Sequence, residues 1–192
     1  MKIEVSEEPI NTLDEYASIP IAFAVEQVLE IEDNGKAPGE FVLTERSVAV
    51  PFIKDYDAFK VEHPVQWAKR FDVTNWRLFA ARVAGRRVGG AVVAFKTANM
   101  ITSKAGSDLA VLWDIRVSPE VRGRGVGSAL FQAAEAWARS RGCRRLKIET
   151  QNINVPACRF YQRQGCTLEA VHRFAYAEFP DEIQLIWHKE LK

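Results

Sequence analysis

Short apolar and β-branched runs dominate this chain and predict a fold rich in β-strands. Nine runs have strand length, at residues 2–5, 23–32, 41–47, 76–83, 88–95, 111–117, 146–150, 171–177 and 183–189. Residues 55–71 mix helical segments around Pro64, and residues 97–108 are polar and are expected to form a loop. The chain is therefore expected to contain more strands than helices.

Turn sequences between the early runs predict two β-hairpins. The segment DNGKAPG at residues 33–39 separates the second run from the third, and residues 84–87 separate the fourth from the fifth. The later order is strand, helix, strand, helix, strand, strand. We therefore expect the α/β (α+β) class, with a mixed but mostly antiparallel twisted sheet, helices on both faces, and the ligand at a central split in the sheet.

Two stretches repeat their apolar residues at helical spacing. The first begins at Ser128 and ends at Gly142, and its apolar face is formed by Leu130, Ala133, Ala134, Trp137 and Ala138. The second follows Asn154, a favourable N-cap, and stops at Gly165. Pro156 is compatible with the first turn of this second helix.

Length and composition favour one domain that spans residues 1–192. With 47% hydrophobic residues, the chain can bury one sizeable core. No apolar run approaches about 18 residues and the N-terminus lacks a signal-peptide core, so a soluble, cytoplasmic protein without membrane contact is expected. The three cysteines lack metal-ligand spacing, so the sequence predicts neither a disulfide nor a metal site.

The formal net charge of +1 conceals an uneven distribution. Residues 1–60 contain 5 Lys or Arg against 13 Asp or Glu, whereas residues 116–163 contain 10 against 3. The basic segment suits a polyanion and the acidic segment suits a cationic partner, although ordinary solvated surfaces show the same patterns. A pI near 7.7 and the lack of a basic helix with interleaved aromatic residues argue against a nucleic-acid partner.

A glycine-rich turn joins the run at residues 111–117 to the first helix. Such a turn at a helix N-terminus presents backbone N–H groups and lets an oxyanion approach closely, so we predict a phosphate cradle. The cradle residues are Arg122, Gly123, Arg124, Gly125, Val126, Gly127 and Ser128.

Three kinds of phosphate loop differ in the residues around these glycines. A nucleoside triphosphate loop needs Lys followed by Ser or Thr, where Ser128 and Ala129 stand here. A dinucleotide loop needs a third glycine at position 128 and a complete doubly wound sheet, for which only 64 residues remain. The spacing R-x-x-G-x-G at Arg122, Gly125 and Gly127 instead resembles the acyl-CoA pyrophosphate loop of the GNAT superfamily of N-acetyltransferases. A plain surface turn is the alternative.

A second motif supports the same resemblance. Asn154, Ala157, Tyr161 and Gly165 match the superfamily pattern N-x-x-A-x-x-x-Y-x-x-x-G, and Glu149 lies twelve residues before Tyr161. The resemblance covers about residues 76–189, with the acetyl-CoA motifs at about 109–166. Within the superfamily the chain is most similar to the streptothricin acetyltransferases, through ETQ at 149–151, ACRFY at 157–161 and VPFIKDY at 50–56.

The resemblance implies the general acid and base of the transfer. A lysine-like amine must lose a proton before it attacks a thioester, which calls for a positioned base. Glu149 is the first candidate, acting directly or through water, with a role as a structural partner or as a substrate-binding carboxylate as its alternative. Asp114 is the second, with an ion pair to a neighbouring Arg as its alternative. Tyr161 would protonate the departing CoA thiolate, with a core aromatic role as its alternative.

The resemblance also implies binding residues. Backbone N–H groups near Ile115, Arg116 and Val117 would stabilise the thioester oxyanion if their strand bulges away from its neighbour. Asn154 would contact acetyl-CoA, cap its helix, or do both. Trp113 would line the acceptor side or pack in the core.

The sequence therefore predicts an acetyl-CoA-dependent N-acetyltransferase that acts directly on a primary amine without a metal. A cationic small molecule of the streptothricin type is the first choice of acceptor, which would make this an antibiotic-resistance enzyme. A peptide or protein amine is the second choice, and a CoA-binding sensor without turnover is the alternative of another class. Dimers are common in the superfamily, so a homodimer is compatible with the prediction.

Overall fold

The computed structural model describes residues 1–34, 40–97 and 108–192. In these ranges the strands are β1 (Glu4–Glu8), β2 (Phe23–Asp33), β3 (Phe41–Lys54), β4 (Arg77–Val83), β5 (Arg86–Phe95), β6 (Leu109–Val117), β7 (Arg145–Gln151), β8 (Thr167–His172) and β9 (Gln184–Glu190). The helices are α1 (Leu13–Ala17), α2 (Trp67–Arg70), α3 (Val126–Ser140) and α4 (Val155–Arg163). Short 3-10 turns lie at Ile10–Thr12, Tyr56–Ala58, Pro64–Gln66 and Pro119–Val121.

The described residues divide into two compact units. The first comprises Met1–Ala22, Asp55–Leu146 and Glu190–Lys192. Its strands are ordered β1, β4, β5, β6, and each neighbouring pair is antiparallel. The second unit comprises Phe23–Lys54 and Lys147–Lys189.

Aromatic residues form the core of the first unit beside its sheet. Tyr16 from α1 and Trp67 from α2 pack with Trp76 and with Val92 of β5, and all four are almost fully buried. Gly90 of β5 makes room for this packing, because a Cβ there would lie 2.6 Å from the Tyr16 ring. Real Cβ atoms do not come so close, so Tyr16 occupies space that only glycine leaves open.

Strand β6 carries a β-bulge. In the pairing with β5, Val92 lies opposite Asp114 and Val93 lies opposite Leu112, which leaves Trp113 as the extra residue. A bulge bends its strand and redirects the side chains near it. The bend lies two residues before Ile115, in the strand where a bulge was expected.

The second unit consists of the β2–β3 hairpin, the antiparallel pair β8 and β9, strand β7 next to β9, and helix α4. Asn152, which follows β7, is buried and links these elements. Its amide group donates to the Leu29 carbonyl at 3.2 Å and accepts from the Ile183 backbone N–H at 2.8 Å. Paired in this way, a buried amide stabilises the unit rather than costing desolvation energy.

The mixed α/β class with mostly antiparallel strands is confirmed. The split of the sheet at the ligand and the single domain over residues 1–192 remain predictions. No helix among the described residues is long and apolar enough to cross a membrane. The expected turn at 33–39 and loop at 97–108 lie mostly outside the described residues.

One predicted strand is wrong and one helix was missed. The run at 171–177 is a strand only up to His172, and residues 173–177 form turns. Their alternating aromatic residues mimic a strand, yet Phe174 is 92% exposed and the Tyr176 hydroxyl bonds a side chain of β7. Helix α1 has only five residues, too few for a periodic pattern.

Candidate active site

The glycine-rich turn has the backbone conformation that a phosphate cradle requires. Gly123 and Gly125 adopt φ of +75° and +89°, in the left-handed region that glycine tolerates best. Gly125 is the N-cap of the 15-residue α3, so the helix begins at Val126, two residues before the predicted start. Residues 122–125 are exposed, and a Cβ on Gly123 would meet no atom within 4 Å. An oxyanion can therefore reach the first-turn N–H groups, whose helix dipole favours negative charge.

The two arginines of this turn have different surroundings. The Arg122 side chain donates to the carbonyls of Val117 at 3.0 Å, Ala22 at 3.1 Å and Pro20 at 3.2 Å. It therefore fastens residues 20–22 to the turn, and partial burial lowers its pKa. Arg124 is exposed and forms no ion pair with the described residues. Of the two guanidinium groups, the Arg124 group is the better placed to meet a phosphate.

Arg116 lies at the centre of a buried ionic cluster. Only 3% of the residue is exposed, and its guanidinium lies 4.9 Å from the centre of the Tyr16 ring. Its Nε and Nη2 donate to Asp114 Oδ2 at 3.0 and 2.5 Å. Its Nη1 donates to Asp57 Oδ2 at 2.9 Å and to the Ile19 carbonyl at 3.1 Å, and Nη2 reaches Asp57 Oδ1 at 3.3 Å. All five N–H groups of the guanidinium therefore have acceptors.

This cluster bears directly on the second candidate base. Burial raises the pKa of the Asp114 carboxyl, and the charge and hydrogen bonds of Arg116 act in the opposite direction. The ion pair considered as the alternative for Asp114 is present. As a base, Asp114 would have to take a proton while hydrogen-bonded to a guanidinium, which makes it a poorer candidate than an exposed carboxylate.

Trp113, the extra residue of the bulge, packs within the aromatic core of the first unit. Its ring centre lies 5.2 Å from that of Phe71, 5.3 Å from that of Trp76 and 6.1 Å from that of Trp67. It is nevertheless only half-buried. The structure therefore gives Trp113 core contacts, and its contact with an acceptor remains a prediction, as does the oxyanion role of the backbone at Ile115, Arg116 and Val117.

Glu149, the first candidate base, lies on β7 with an exposed side chain. The Tyr176 hydroxyl donates to Glu149 Oε1 at 2.9 Å, and Gln151 Nε2 donates to the Tyr176 oxygen at 2.9 Å. Burial raises the pKa of Tyr176 well above its usual range, and the Glu149 charge adds to the effect. Sequence reasoning gave Tyr176 no role, because nothing local indicates a contact across 27 residues.

The predicted helix start at Asn154 is confirmed. Its Oδ1 accepts from the Ala157 backbone N–H at 3.2 Å, so the side chain caps α4. Tyr161 lies on α4 with 6% of its surface exposed, and its ring centre lies 5.4 Å from that of Phe160. These contacts fit both interpretations of Tyr161, so its role as proton donor remains a prediction.

Much of the acidic charge in residues 1–60 is paired. Asp57 contacts Arg116, Glu45 contacts Arg159, and Glu8 contacts both Arg82 and Arg87. The excess of negative charge in that part of the sequence is therefore partly neutralised by basic residues from elsewhere in the chain. It supports a cationic acceptor less strongly than the count of residues suggested.

Comparison with known proteins agrees with both motifs. Residues 51–166 match the model of the acetyltransferase (GNAT) family. Over 81 residues the chain is 38% identical to streptothricin acetyltransferase A of Bacillus subtilis (strain 168). That match covers 41% of this chain and 47% of the relative, so the chain spans about half of the relative's length.

Solved structures extend the likeness to the whole chain. A crystal structure of nourseothricin acetyltransferase is 25% identical with a TM-score of 0.76, and each chain is covered completely. A protein of Bacillus anthracis str. Ames, provisionally assigned as a streptothricin acetyltransferase and solved with acetyl coenzyme A, has a TM-score of 0.79 at 23% identity. That second match covers 98% of this chain and 99% of the other and shows the same fold. Together with the family match over residues 51–166, these findings confirm the predicted resemblance, and the chain belongs to the GNAT family of acetyltransferases.

Proposed function

We propose that this chain transfers an acetyl group from acetyl-CoA directly to a primary amine, without a covalent enzyme intermediate. One observation carries the proposal. In a chain of the GNAT family, the turn with left-handed Gly123 and Gly125 opens onto the N-terminus of α3 and is accessible to an anion.

Acetyl-CoA would bind this turn through its pyrophosphate, and its thioester supplies the acetyl group. Backbone N–H groups at the start of α3 suit the phosphate oxygens, and Arg124 adds an exposed positive charge. Arg122 contributes indirectly, because its hydrogen bonds to Val117 and Ala22 hold the turn in shape.

Glu149 would remove a proton from the acceptor amine. An amine with a pKa of about 10.4 is neutral about once in 2,500 molecules at pH 7, which corresponds to roughly 4.6 kcal/mol. An exposed carboxylate with one oxygen already held by Tyr176 suits this task better than the buried, ion-paired Asp114. The neutral nitrogen then attacks the thioester carbon, and Tyr161 would protonate the CoA thiolate that leaves.

The acceptor is proposed to be a cationic small molecule of the streptothricin type. The support comes from the relatives, which are named for streptothricin and nourseothricin. The acidic segment at residues 1–60 adds weaker support, because several of its carboxylates have arginine partners. Peptide amines are the class against which this choice has to be tested.

The test is an acetylation assay over a panel of amines, with release of free CoA thiol as the readout. The panel contains streptothricin, other polyamine-like acceptors and short peptides. We expect turnover of the cationic small molecules, and a loss of kcat by a factor of roughly 10² to 10⁴ in Tyr161→Phe and in Glu149→Gln. Glu190→Gln, which removes an exposed carboxylate at the end of β9, is the matched control and should behave like wild type.

Binding of acetyl-CoA is measured on the same variants. If both variants bind acetyl-CoA like wild type and lose only kcat, the proposed roles are supported. Acetylation of peptides alone would refute the small-molecule acceptor. Binding of acetyl-CoA with no turnover of any amine would refute the enzymatic function and favour a sensor.

A further inference from the structure

We infer that Tyr176 is a positioning residue that orients the Glu149 carboxylate for proton transfer. The inference rests on the proposed function, since it assigns a partner to the proposed base. Its geometric basis is a chain of two hydrogen bonds within the second unit. Gln151 Nε2 donates to the Tyr176 oxygen at 2.9 Å, and the Tyr176 hydroxyl donates to Glu149 Oε1 at 2.9 Å.

The direction of these hydrogen bonds follows from the donors that are present. An amide nitrogen only donates, so the Tyr176 oxygen must accept from Gln151. Because the phenol oxygen accepts from Gln151, its single hydrogen is left for the carboxylate, and an ionised carboxylate only accepts.

Tyr176 also remains in the protonated state that this arrangement needs. Burial raises the pKa of its phenol, and the neighbouring Glu149 charge raises it further. The hydroxyl therefore stays a donor throughout the range in which an acetyltransferase works. Gln151 lies two residues from Glu149 on β7, so both side chains project from the same face of that strand.

Holding Oε1 has a consequence for Glu149. An exposed glutamate side chain samples several rotamers, and fixing one of them in the transition state costs conformational entropy. A base that is already oriented in the ground state avoids that cost. With Oε1 bonded to Tyr176, Oε2 is the oxygen that takes the proton. In the full step, an amine N–H bond breaks and the proton moves to Oε2. The neutral nitrogen then bonds the acetyl carbon, the C–S bond breaks, and the thiolate takes the Tyr161 proton. The nitrogen loses its second proton as the amide forms, and that proton restores the Tyr161 phenol.

The turn conformation of residues 173–177 is consistent with this role. A continued strand would have placed Tyr176 in the ladder with β9, where the pairing ends at His172 and Gln184. Instead the chain leaves β8 and brings the phenol to the Glu149 carboxylate. The end of the strand at His172 therefore allows the Tyr176 side chain to reach Glu149.

The test is a double-mutant cycle on kcat with wild type, Tyr176→Phe, Glu149→Gln and the combination. Loss of a hydrogen bond to a charged group should lower kcat of Tyr176→Phe by roughly tenfold to a hundredfold. If Tyr176 acts through Glu149, adding Tyr176→Phe to Glu149→Gln should change kcat by less than about threefold. The effects of two residues that act together on one catalytic step are not additive. The KM for acetyl-CoA should stay unchanged in all four proteins.

Three results would overturn the inference. Independent losses that multiply in the double variant, or a change confined to the KM of the amine, would mean that Tyr176 contacts the acceptor itself. A wild-type kcat in Tyr176→Phe would mean that Glu149 needs no orientation. Phe174→Leu, which alters an exposed ring two residues away, is the control and should keep the wild-type kcat.

The same four proteins are compared by urea unfolding, which does not depend on activity. Coupling between the two substitutions in the free energy of unfolding would show that the hydrogen bond exists in solution. If no amine is acetylated by wild type, the proposed function fails and the positioning role fails with it, whatever the coupling. If wild type is active but the kcat cycle is additive, only the positioning role fails.

Discussion

At the scale of the single residue, Arg122 and Arg124 flank the same glycine, yet their guanidinium groups have different surroundings. A guanidinium has five donors, and those of Arg122 are directed to the carbonyls of Val117, Pro20 and Ala22. Those of Arg124 are exposed. The chemical identity of the two side chains therefore says less about their function than the acceptors within reach.

Replacing each arginine by alanine should separate the two roles. Arg122→Ala removes hydrogen bonds to three carbonyls and should lower the free energy of unfolding by about 1–3 kcal/mol. It should also raise the Kd for acetyl-CoA, because the turn loses its support. Arg124→Ala should raise that Kd by up to about tenfold without changing stability, and the effect should shrink at high salt.

Calorimetric titration with acetyl-CoA and urea unfolding provide the two readouts. Equal losses of stability in both variants would contradict the division of roles. So would an unchanged acetyl-CoA Kd in both.

At the scale of the element, glycines shape the strand and the turn for two separate reasons. Gly90 in β5 is required for space, since a Cβ would lie 2.6 Å from the Tyr16 ring and 2.8 Å from the Phe79 carbonyl oxygen. Gly123 is required for conformation, since its φ is +75° while open space surrounds it. Alanine at either position disturbs the element, through crowding in one case and through backbone strain in the other.

Urea unfolding of Gly90→Ala and Gly123→Ala should show different costs. Crowding against a backbone oxygen and a buried ring cannot relax cheaply, so Gly90→Ala should lose about 1–3 kcal/mol or more. Gly123→Ala should lose about 1 kcal/mol through the left-handed conformation. Only Gly123→Ala should weaken acetyl-CoA binding beyond what its loss of stability explains, and equal stability of Gly90→Ala and wild type would contradict the packing argument.

At the scale of the whole molecule, the uneven charge of the sequence is redistributed by folding. The acidic segment at residues 1–60 supplies Glu8, Glu45 and Asp57 to arginines that follow later in the chain. Glu8 on β1 meets Arg82 on β4 and Arg87 on β5, so one carboxylate joins three strands of the first unit. Part of the stability of that unit therefore depends on pH.

Acidification should expose this dependence. Burial raises the pKa of Glu8, but the hydrogen bonds and charges of Arg82 and Arg87 outweigh it, so the pKa is lowered overall. The resulting stabilisation is present above the unfolded-state pKa and is lost as the pH falls through the folded-state pKa. Glu8→Gln should be less stable than wild type at neutral pH, and the difference should shrink on acidification. Urea unfolding over a pH series checks this, and a difference independent of pH would contradict it.

The sequence by itself determined the features that local patterns encode. The hairpin of β4 and β5, the strand before the glycine-rich turn, and the two helices follow from residue spacing, turn residues and caps. The Asn154 cap also follows from the sequence, because it needs only its immediate neighbours. The family could therefore be identified from two short motifs.

Only the tertiary structure decided the partners of the charged and polar side chains. The Arg122 side chain donates to a carbonyl 100 residues earlier, and the Tyr176 hydroxyl donates to Glu149 across 27 residues. Arg116 binds both Asp114 and Asp57, which lies in the turn at Tyr56–Ala58. The tertiary structure also decided where β8 ends, at His172, since the aromatic residues beyond it resemble a strand locally. Such contacts depend on distances between remote segments of the folded chain, which local residue patterns do not encode.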